Sequence, residues 1–294
     1  MTVTFGFGAD DATLLPSARA ADRDGLDYIS LSDHPYLGGR IDAYAALGFV
    51  LGATERLSGF VNVTNLPLRP APMLARTVAG LSALSGGRIV LGAGAGGRWE
   101  RIASMGVPAL SPGQAVDAFE EAITLIRSLC GGGAPVTHHG QYYSVTGLET
   151  SPEAAPPVWT GSVGPRSLAA TGRVADGWIP GHAADWRSDR YRAGRAIIDE
   201  AAASAGRDPG DVRTIFNLPG RITDQPLPAT RSEEGRWIGG SPAQWVAELT
   251  EAVRDHGASG FMLFSPTGGA PDETTLARWA HEIAPAVRHA VPTS

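Results

Sequence analysis

The chain has 294 residues, of which 43% are hydrophobic and 18% charged. Its formal net charge is −6, from 24 basic and 30 acidic residues, so it lacks the excess of positive charge that favours nucleic-acid binding. A single cysteine, Cys130, excludes an intrachain disulfide and a cysteine-based metal site. The first residues show no signal-peptide pattern, and no stretch approaches the roughly 20 apolar residues of a membrane span. We therefore expect a cytoplasmic protein that has neither nucleic acid nor membrane as a partner.

Short apolar runs alternate with helical patterns along the chain. Their length and hydrophobicity predict strands that are buried on both faces of a parallel sheet. Eight such runs with helices between them predict the α/β class and a (β/α)8 TIM barrel, formed by one domain over residues 1–294; a doubly wound open sheet is the alternative. The predicted strands are Val3–Phe7, Tyr28–Leu31, Leu57–Val63, Arg88–Leu91, Pro157–Thr160, Gly177–Ile179, Val212–Asn217 and Phe261–Phe264.

Local signals indicate where two of the helices begin. Ser111–Gln114 and Ser241–Gln244 each combine an N-cap serine, a proline at the first helical position and a capping-box glutamine. After the first of these, apolar residues recur at helical spacing and predict one core-facing stripe, formed by Val116, Phe119, Ile123 and Ile126.

The charged residues in the turns that lead into the strands are expected to stabilise the fold and not to take part in catalysis. Asp27, Arg88 and Asp176 each lie in a short turn that leads from a helix into a strand. In a barrel these turns fall on the amino-terminal face, whereas catalytic groups lie on the carboxyl face.

Two segments are expected to form short insertions at the carboxyl face, and together with a third segment they are expected to form the walls of the pocket. Val136–Val145 predicts a hairpin around Gly140, and Pro219–Gly240 predicts a long loop. The third segment is Pro35–Asp42, which follows the second strand.

The strongest candidate for chemistry is the segment Ser32–Pro35, directly after the second strand. A barrel places such residues at the mouth of the active site. His34 can carry a proton near neutral pH, and Asp33 can orient its loop. The same pair also suits a loop cap before a proline turn, and the motif alone leaves both interpretations open.

Two further strand ends suggest contact with a flat ligand. Asn62 and Asn65 could hydrogen-bond the edge of a heteroaromatic ring. Amide side chains at the end of a strand also serve simply to hydrogen-bond its backbone groups. The glycine run Gly92–Gly97 would let such a ligand approach bare backbone. We do not interpret it as a dinucleotide fingerprint, because the loop is expected to continue through Glu100 without opening a helix.

A phosphate site is predicted after the fifth strand, where Gly161–Ser167 opens a helix. Backbone N–H groups at a helix amino terminus bind phosphate readily. All 24 basic residues are arginine, so any side-chain contribution would come from a residue such as Arg166 or Arg69. No metal site is expected, since His138 and His139 would point to opposite faces of a strand.

Together these segments resemble the bacterial luciferase-like monooxygenase superfamily, which includes coenzyme F420 (deazaflavin)-dependent reductases and dehydrogenases. The resemblance covers most of the chain, and its longest and most specific part is Leu81–Gly94. The other matching segments are Ser32–His34, Val63–Pro72, Trp159–Pro165 and Ala175–Trp178.

The resemblance implies a cofactor ring over the carboxyl ends of the strands. It implies a non-proline cis peptide at Asn62–Val63 beneath the ring, and a role for His34 in proton or hydride transfer. It also implies that the cofactor phosphate lies at Gly161–Gly164, and that the protein forms a homodimer through helices near the second and third strands.

One position departs from the family pattern. Where many flavin mononucleotide (FMN) members have a tryptophan and some deazaflavin dehydrogenases an acidic residue, this chain has Gly97; Glu100 is the nearest carboxylate.

The expected function is F420-dependent hydride transfer to or from a small organic substrate. The alternatives are an FMN-dependent monooxygenase and a non-catalytic flavin-binding barrel. The expected catalytic residues are His34, Asp33 and Glu100, and the expected cofactor-binding residues are Asn62, Val63, Asn65, Ala95, Gly96, Gly161, Ser162, Val163 and Gly164.

Overall fold

The computed structural model describes residues 2–10, 13–181, 185–266 and 268–291. Over these ranges, eight parallel strands form a closed (β/α)8 barrel in the order β3-β2-β1-β8-β7-β6-β5-β4, and a β3–β4 pairing completes the ring. The barrel strands are β1 (Thr4–Gly8), β2 (Tyr28–Leu31), β3 (Ser58–Val61), β4 (Ile89–Gly94), β5 (Val158–Thr160), β6 (Gly177–Trp178), β7 (Arg213–Pro219) and β8 (Ala258–Phe264).

Helices surround the barrel, and both predicted capping boxes are confirmed at Ser111 and Ser241. None of the helices among the described residues is both long and apolar enough to cross a membrane. The helices are α1 (Leu14–Asp24), α2 (Ala43–Gly52), α3 (Ala71–Ser85), α4 (Trp99–Ala103), α5 (Pro112–Ser128), α6 (Pro165–Val174), α7 (Asp189–Ser204), α8 (Pro242–His256), α9 (Glu273–Arg278) and α10 (Ala284–Ala290).

All eight predicted strands are confirmed; β2 has the predicted ends and the ends of the others shift by up to three residues. Strand β4 continues to Gly94, three residues further than predicted, so the first part of the glycine run belongs to the strand. A Cβ on Gly92 would lie 1.9 Å from the carbonyl oxygen of Val61. The glycine is therefore needed for close backbone packing between β3 and β4.

The expectation that no helix follows the glycine run is wrong. The short helix α4 begins at Trp99, two residues after Gly97. Ile102 on this helix is fully buried, and Glu100 lies in its first turn, where a negative charge favours the helix dipole. A single turn is too short for hydrophobic periodicity to reveal it.

The barrel interior is filled by large side chains. The rings of Tyr28, Phe60 and Trp159 meet edge to face, with centroids 5.0 to 6.0 Å apart. Edge-to-face contact is a favoured arrangement of aromatic rings, so these three contribute a rigid floor below the carboxyl ends of the strands.

The charged residues at the strand entrances hold the amino-terminal face together, as predicted. Arg88 donates 2.7 Å hydrogen bonds to the carbonyl oxygens of Leu51 and Leu57. Asp176 accepts from the Val158 amide at 2.8 Å and pairs with Arg127. These side chains satisfy backbone groups far from the opposite face, where the candidate site lies.

The last helix contacts the first strands of the barrel. Arg288 on α10 donates to the carbonyl oxygen of Val3 at 3.1 Å and to the carboxylate of Asp27 at 2.6 Å. Asp27 in turn accepts from the Phe5 amide at 2.6 Å. The beginning and the end of the barrel are therefore in direct contact.

The predicted hairpin and the predicted loop are both present. Val136–His139 pairs antiparallel with Ser144–Leu148, and Glu121 on α5 accepts hydrogen bonds from the amides of the hairpin turn. The segment from Pro219 to Gly240 is mostly irregular, with a two-residue parallel ladder between Arg221–Ile222 and Gly239–Gly240.

Candidate functional site

The third strand breaks at the centre of the site. Strand β3 ends at Val61, the Asn62–Val63 peptide bond is cis, and Thr64–Asn65 then resumes parallel pairing with β4. The cis bond lies where the resemblance implied it, so that prediction is confirmed.

Val63 fills a space between two glycines. A Cβ on Gly94 would lie 2.7 Å from Cγ2 of Val63, and a Cβ on Gly161 would lie 2.9 Å from the same atom. Larger residues at either position would displace Val63. The broken strand and the loop after β5 are thus packed directly against each other.

Asn62 reaches across the mouth of the barrel. Its Nδ2 donates to Oδ1 of Asn217 on β7 at 3.0 Å and lies 3.4 Å from Oγ of Ser30 on β2. These bonds orient the Asn62 side chain between three strands.

Asp33 is held in a buried ion pair. Arg69 donates to both of its oxygens, at 2.7 and 2.8 Å, and the same carboxylate accepts from the Asn65 amide at 2.9 Å. Arg69 also donates to Asp42 at 2.7 Å and lies over the Tyr44 ring. Arg69 is therefore committed to these carboxylates, and the expectation that it contributes to phosphate binding is wrong.

His34 follows Asp33 and is half-buried. Its Nδ1 lies 2.8 Å from the hydroxyl of Tyr36, and Nε2 forms no hydrogen bond or ion pair with the described residues. Burial lowers the pKa of His34, and the nearby positive charge of Arg98 lowers it further. The imidazole is thus neutral at pH 7, with one ring nitrogen fixed and the other available.

The loop after β5 presents backbone donors. Thr171 donates to Oγ of Ser162 at 2.8 Å, and the indole of Trp178 donates to the Ser162 carbonyl at 2.9 Å, so the loop is fixed from behind. Within the described residues, no acceptor is found for the amides of Ser162, Val163, Arg166 and Ser167, whereas the Gly161 amide donates to the Ala93 carbonyl at 3.1 Å and the Gly164 amide donates to Oγ of Ser167 at 3.2 Å. Arg166, the other arginine expected at this site, pairs with Asp117 at the surface.

The loop after β4 passes close to the broken strand. Ala95 is partly buried, and Gly96 has φ +88° with Pro67, Trp99 and Ile102 around the position of its absent Cβ. Glu100 is exposed on α4, and its carboxylate forms no hydrogen bond or ion pair with the described residues.

A cavity of about 520 Å³ opens beside the ends of β6, β7 and β8. Its described lining comes from residues 180–181, 185–186, 216–221 and 236–238 and from Ser232, Glu234 and Pro266. Asn217 lines this cavity and also holds Asn62, so the cavity adjoins the broken third strand. Of the three predicted pocket walls, only Pro219–Gly240 lines it; Pro35–Asp42 and Val136–Val145 do not.

A family model for luciferase-like monooxygenases matches residues 9–260. The chain belongs to this family. An F420-dependent glucose-6-phosphate dehydrogenase of Microbacterium testaceum is 30% identical over 257 residues, which is 85% of this chain and 74% of that protein. An F420-dependent hydroxymycolic acid dehydrogenase of Mycobacterium tuberculosis is 28% identical over 283 residues, which is 93% of this chain and 73% of that protein.

A solved structure supports the luciferase-like fold. The coenzyme F420-dependent tetrahydromethanopterin reductase of Methanopyrus kandleri superposes with a TM-score of 0.80 at 18% identity. The match covers 97% of this chain and 99% of that one.

The sequence-predicted residues of this luciferase-like protein fall into two groups. Asp33 is bonded to Asn65 and Val63 packs against Gly161, with Asn62, Ser162, Val163 and Gly164 adjoining these pairs in the chain. Glu100 forms no hydrogen bond or ion pair with these residues. In the described ranges no three His, Cys, Asp or Glu side chains could hold a metal together; His138 contacts Glu121 and His139 contacts Ser144.

Sequence reasoning missed four residues. Tyr36 fixes His34, Arg98 lowers its pKa, and Asn217 fixes Asn62. Asp10 accepts from the amide and hydroxyl of Ser32 at 2.6 and 2.7 Å. Asn217 ends a predicted strand, so its place at the carboxyl face could have identified it; the other three depend on loop geometry.

Proposed function

We propose that this luciferase-like protein is a coenzyme F420-dependent oxidoreductase that moves a hydride to or from a small organic substrate. The observation that carries the proposal is the hydrogen bond from the Asn65 amide to Asp33, because it fixes the loop bearing His34 against the broken third strand. Both sequence relatives described above are named as F420-dependent dehydrogenases, which favours F420 over FMN.

The residues around the strand break suit a flat ring. Oδ1 of Asn65 is buried and has no hydrogen-bond donor among the described residues. A buried acceptor normally has a partner, and a ring N–H of a flavin or deazaflavin would provide one. We infer that Asn62, Val63 and Asn65 hold the ring.

The cofactor phosphate is assigned to Gly161–Gly164. Unpaired amides at the start of α6 point to anion binding, and the helix dipole adds to the attraction. We assign the neighbouring stretch of Ala95 and Gly96 to contact with the cofactor, since it allows close approach of backbone.

The proton that accompanies the hydride is assigned to His34. When bound, coenzyme F420 supplies or accepts a hydride at carbon five of its ring. A neutral His34 can take a proton from a substrate hydroxyl during oxidation, and it returns that proton in the reverse direction. Tyr36 occupies Nδ1, so Nε2 is the atom we assign to the substrate.

Asp33 and Glu100 receive different roles. Both oxygens of Asp33 are occupied by Arg69, so we assign Asp33 to positioning of the His34 loop. Glu100 has a free, exposed carboxylate and is the second candidate proton carrier.

Parallel titrations with coenzyme F420 and FMN, followed by fluorescence, test the cofactor. We expect F420 to bind at least tenfold more tightly, a difference of about 1.4 kcal/mol. Tighter binding of FMN, with oxygen consumption in the presence of reduced FMN, would favour the monooxygenase alternative that the family description suggests. Binding of neither would overturn the proposal.

Turnover tests the catalytic role. We expect His34→Ala to lose most activity while retaining cofactor binding, and His139→Ala, on the exposed face of the hairpin, to retain both. Binding without turnover on any alcohol or ketone tested would support the non-catalytic alternative.

We further propose that residues 1–294 act as one barrel domain and that two copies form a dimer through α2 and α3. Phe49 on α2 is 67% exposed and Met73 on α3 is 63% exposed. Large apolar side chains at this exposure favour an interface, and a two-fold contact would bury both.

A further inference from the structure

A carboxylate on α5 holds the turn of the hairpin that follows this helix. Oε1 of Glu121 accepts from the Tyr143 amide at 2.8 Å. Oε2 accepts from the amides of Gln141 and Tyr142, each at 3.1 Å, and Nε2 of His138 lies 3.1 Å from Oε1. Successive backbone N–H groups in a turn form an anion-binding nest. In this protein the nest is filled by the chain's own carboxylate.

The turn depends on a glycine to admit this carboxylate. A Cβ on Gly140 would lie 1.9 Å from Oε1 of Glu121 and 2.4 Å from Nε2 of His138, so a larger residue would displace the carboxylate. Burial alone would raise the pKa of Glu121, but the hydrogen bonds from Tyr143 and His138 outweigh burial and hold this pKa below its ordinary value. The carboxylate is therefore ionised at neutral pH, where its bonds to the turn are strongest.

The same turn carries a tyrosine side chain that packs near the loop after β4. Tyr143 lines a small cavity of about 30 Å³, together with Leu66 and Pro67 after the broken third strand and Ala95 in the loop after β4. The rest of the described lining is Leu110, Ala115, Ala118 and Phe119. Tyr143 is thus the part of the hairpin that helps to close this cavity.

Pro67 connects the cavity to the next residue of the loop. Cγ of Pro67 would lie 3.0 Å from a Cβ on Gly96, so the proline ring packs directly against the glycine backbone. Protein interiors are close-packed, and removing one side of a cavity lets the neighbouring groups shift. Loss of Tyr143 would therefore leave Ala95 and Pro67 without support on the side of the hairpin.

We infer that Glu121 and Tyr143 are positioning residues for cofactor binding: Glu121 fixes the hairpin turn, and the turn holds Tyr143 against the loop that bears Ala95 and Gly96. The inference rests on the proposed function, which assigns Ala95 and Gly96 to contact with the cofactor. It adds to the site a hairpin that forms no part of the described lining of the larger cavity.

Amide hydrogen exchange in the purified full chain without cofactor tests the contact. In Glu121→Gln, the amides of residues 95–97 and 140–143 should exchange about fivefold faster than in the parent, because the neutral side chain offers the nest only one acceptor. Glu120→Gln is the matched control, since the neighbouring Glu120 pairs with Arg173 and not with the hairpin. Parent-like exchange at residues 95–97 in Glu121→Gln, or an equal rise in Glu120→Gln, would overturn the inference.

Fluorescence titrations with coenzyme F420 and with FMN test the consequence for binding. Whichever cofactor the parent binds, Glu121→Gln and Tyr143→Ala should each bind it about fivefold more weakly at a temperature where both are folded. Tyr143→Phe keeps the ring and should recover most of the affinity lost in Tyr143→Ala. Unchanged affinity in Glu121→Gln would overturn the inference, and so would equal losses in the two Tyr143 variants.

The double variant Glu121→Gln/Tyr143→Ala tests whether the two residues act as one unit. If Glu121 acts through Tyr143, the double variant should lose no more cofactor affinity than Tyr143→Ala alone. Additive losses would overturn this route, and so would variants that lower only the free energy of unfolding in urea. Glu121→Gln keeps the size of the side chain, so the exchange measurement decides even where Tyr143→Ala fails to fold.

The parent titration distinguishes this inference from the proposed function. If the parent binds neither cofactor, the proposed function fails, and the contact from Glu121 to the loop is decided by hydrogen exchange alone. If the parent binds F420 and Glu121→Gln binds it as tightly, the function stands and the positioning role is overturned.

Discussion

Nδ2 of Asn62 donates to Oδ1 of Asn217 at 3.0 Å, and this bond joins the break in the third strand to the seventh strand across the barrel mouth. Asn217→Leu would leave the Asn62 amide without its acceptor, at a cost of about 1 kcal/mol. We expect about fivefold weaker cofactor binding in fluorescence titration. Asn217→Asp keeps an accepting oxygen and should retain more of the affinity; equal losses in both variants would contradict this role.

Arg69 is expected to be irreplaceable by lysine. Its guanidinium binds both oxygens of Asp33, whereas an ammonium makes a point contact. We expect Arg69→Lys to lower the free energy of unfolding by about 2 kcal/mol in urea titrations and to weaken cofactor binding. Arg166→Lys, at the surface pair with Asp117, should change the free energy of unfolding by less than about 1 kcal/mol. Similar losses in the two variants would refute a special role for Arg69.

The pH dependence of kcat/KM should report His34. Burial and Arg98 both disfavour the imidazolium, so the pKa lies below its ordinary value of 6.5 and activity in the oxidative direction should fall only on the acid side of it. Arg98→Gln removes a positive charge, raises the pKa of His34 and should move this acid limb to higher pH. Arg101→Gln, exposed on the same short helix, is the control. A limb that moves to lower pH, or moves equally in both variants, would show that another group titrates.

The barrel could be predicted from the sequence because each strand is a short apolar run with a helical pattern on either side. The capping boxes at Ser111 and Ser241 are local signals, and they hold in the fold. Helix α4 was missed because one turn has no periodicity, and the end of β4 was misplaced because glycine is rare in strand interiors.

The candidate site was predictable only in part. Asp33, His34 and Asn62–Asn65 lie at strand ends, which the barrel brings to one face. The partners that fix them are set by loop geometry or by pairs distant in sequence, as Asn217 is 155 residues from Asn62. The role of Arg69 was mistaken because an arginine near a phosphate site and one in a buried ion pair are alike in sequence.

Alanine substitutions at two neighbouring glycines should differ in their effects on stability and cofactor binding. Gly96 has φ +88° and is crowded by Pro67, Trp99 and Ile102, whereas nothing lies within 4 Å of a Cβ on Gly97. Gly96→Ala should cost about 1–2 kcal/mol of stability and weaken cofactor binding. Gly97→Ala should alter neither stability nor cofactor binding. Thermal unfolding measures the stability of each variant, and the cofactor titration measures its binding. A destabilised Gly97→Ala would argue against this geometry.

The apolar faces of α2 and α3 predict a mutation that separates the proposed dimer. Phe49→Asp places a charge where two copies would meet, and we expect sedimentation velocity to show a monomer at concentrations where the parent is a dimer. Met105→Asp, at a 46% exposed methionine outside these helices, should leave the assembly unchanged. A parent protein that is already monomeric would exclude the interface.

The bond from Arg288 to the carbonyl oxygen of Val3 places the beginning and the end of the barrel within hydrogen-bond reach of each other. The first and last segments of the barrel therefore meet on the face opposite the candidate site, and a short peptide could join them without crossing the carboxyl face. A circularly permuted version, opened at a surface loop on the amino-terminal face, could then carry a sensor or partner domain at that loop while the redox site remains intact.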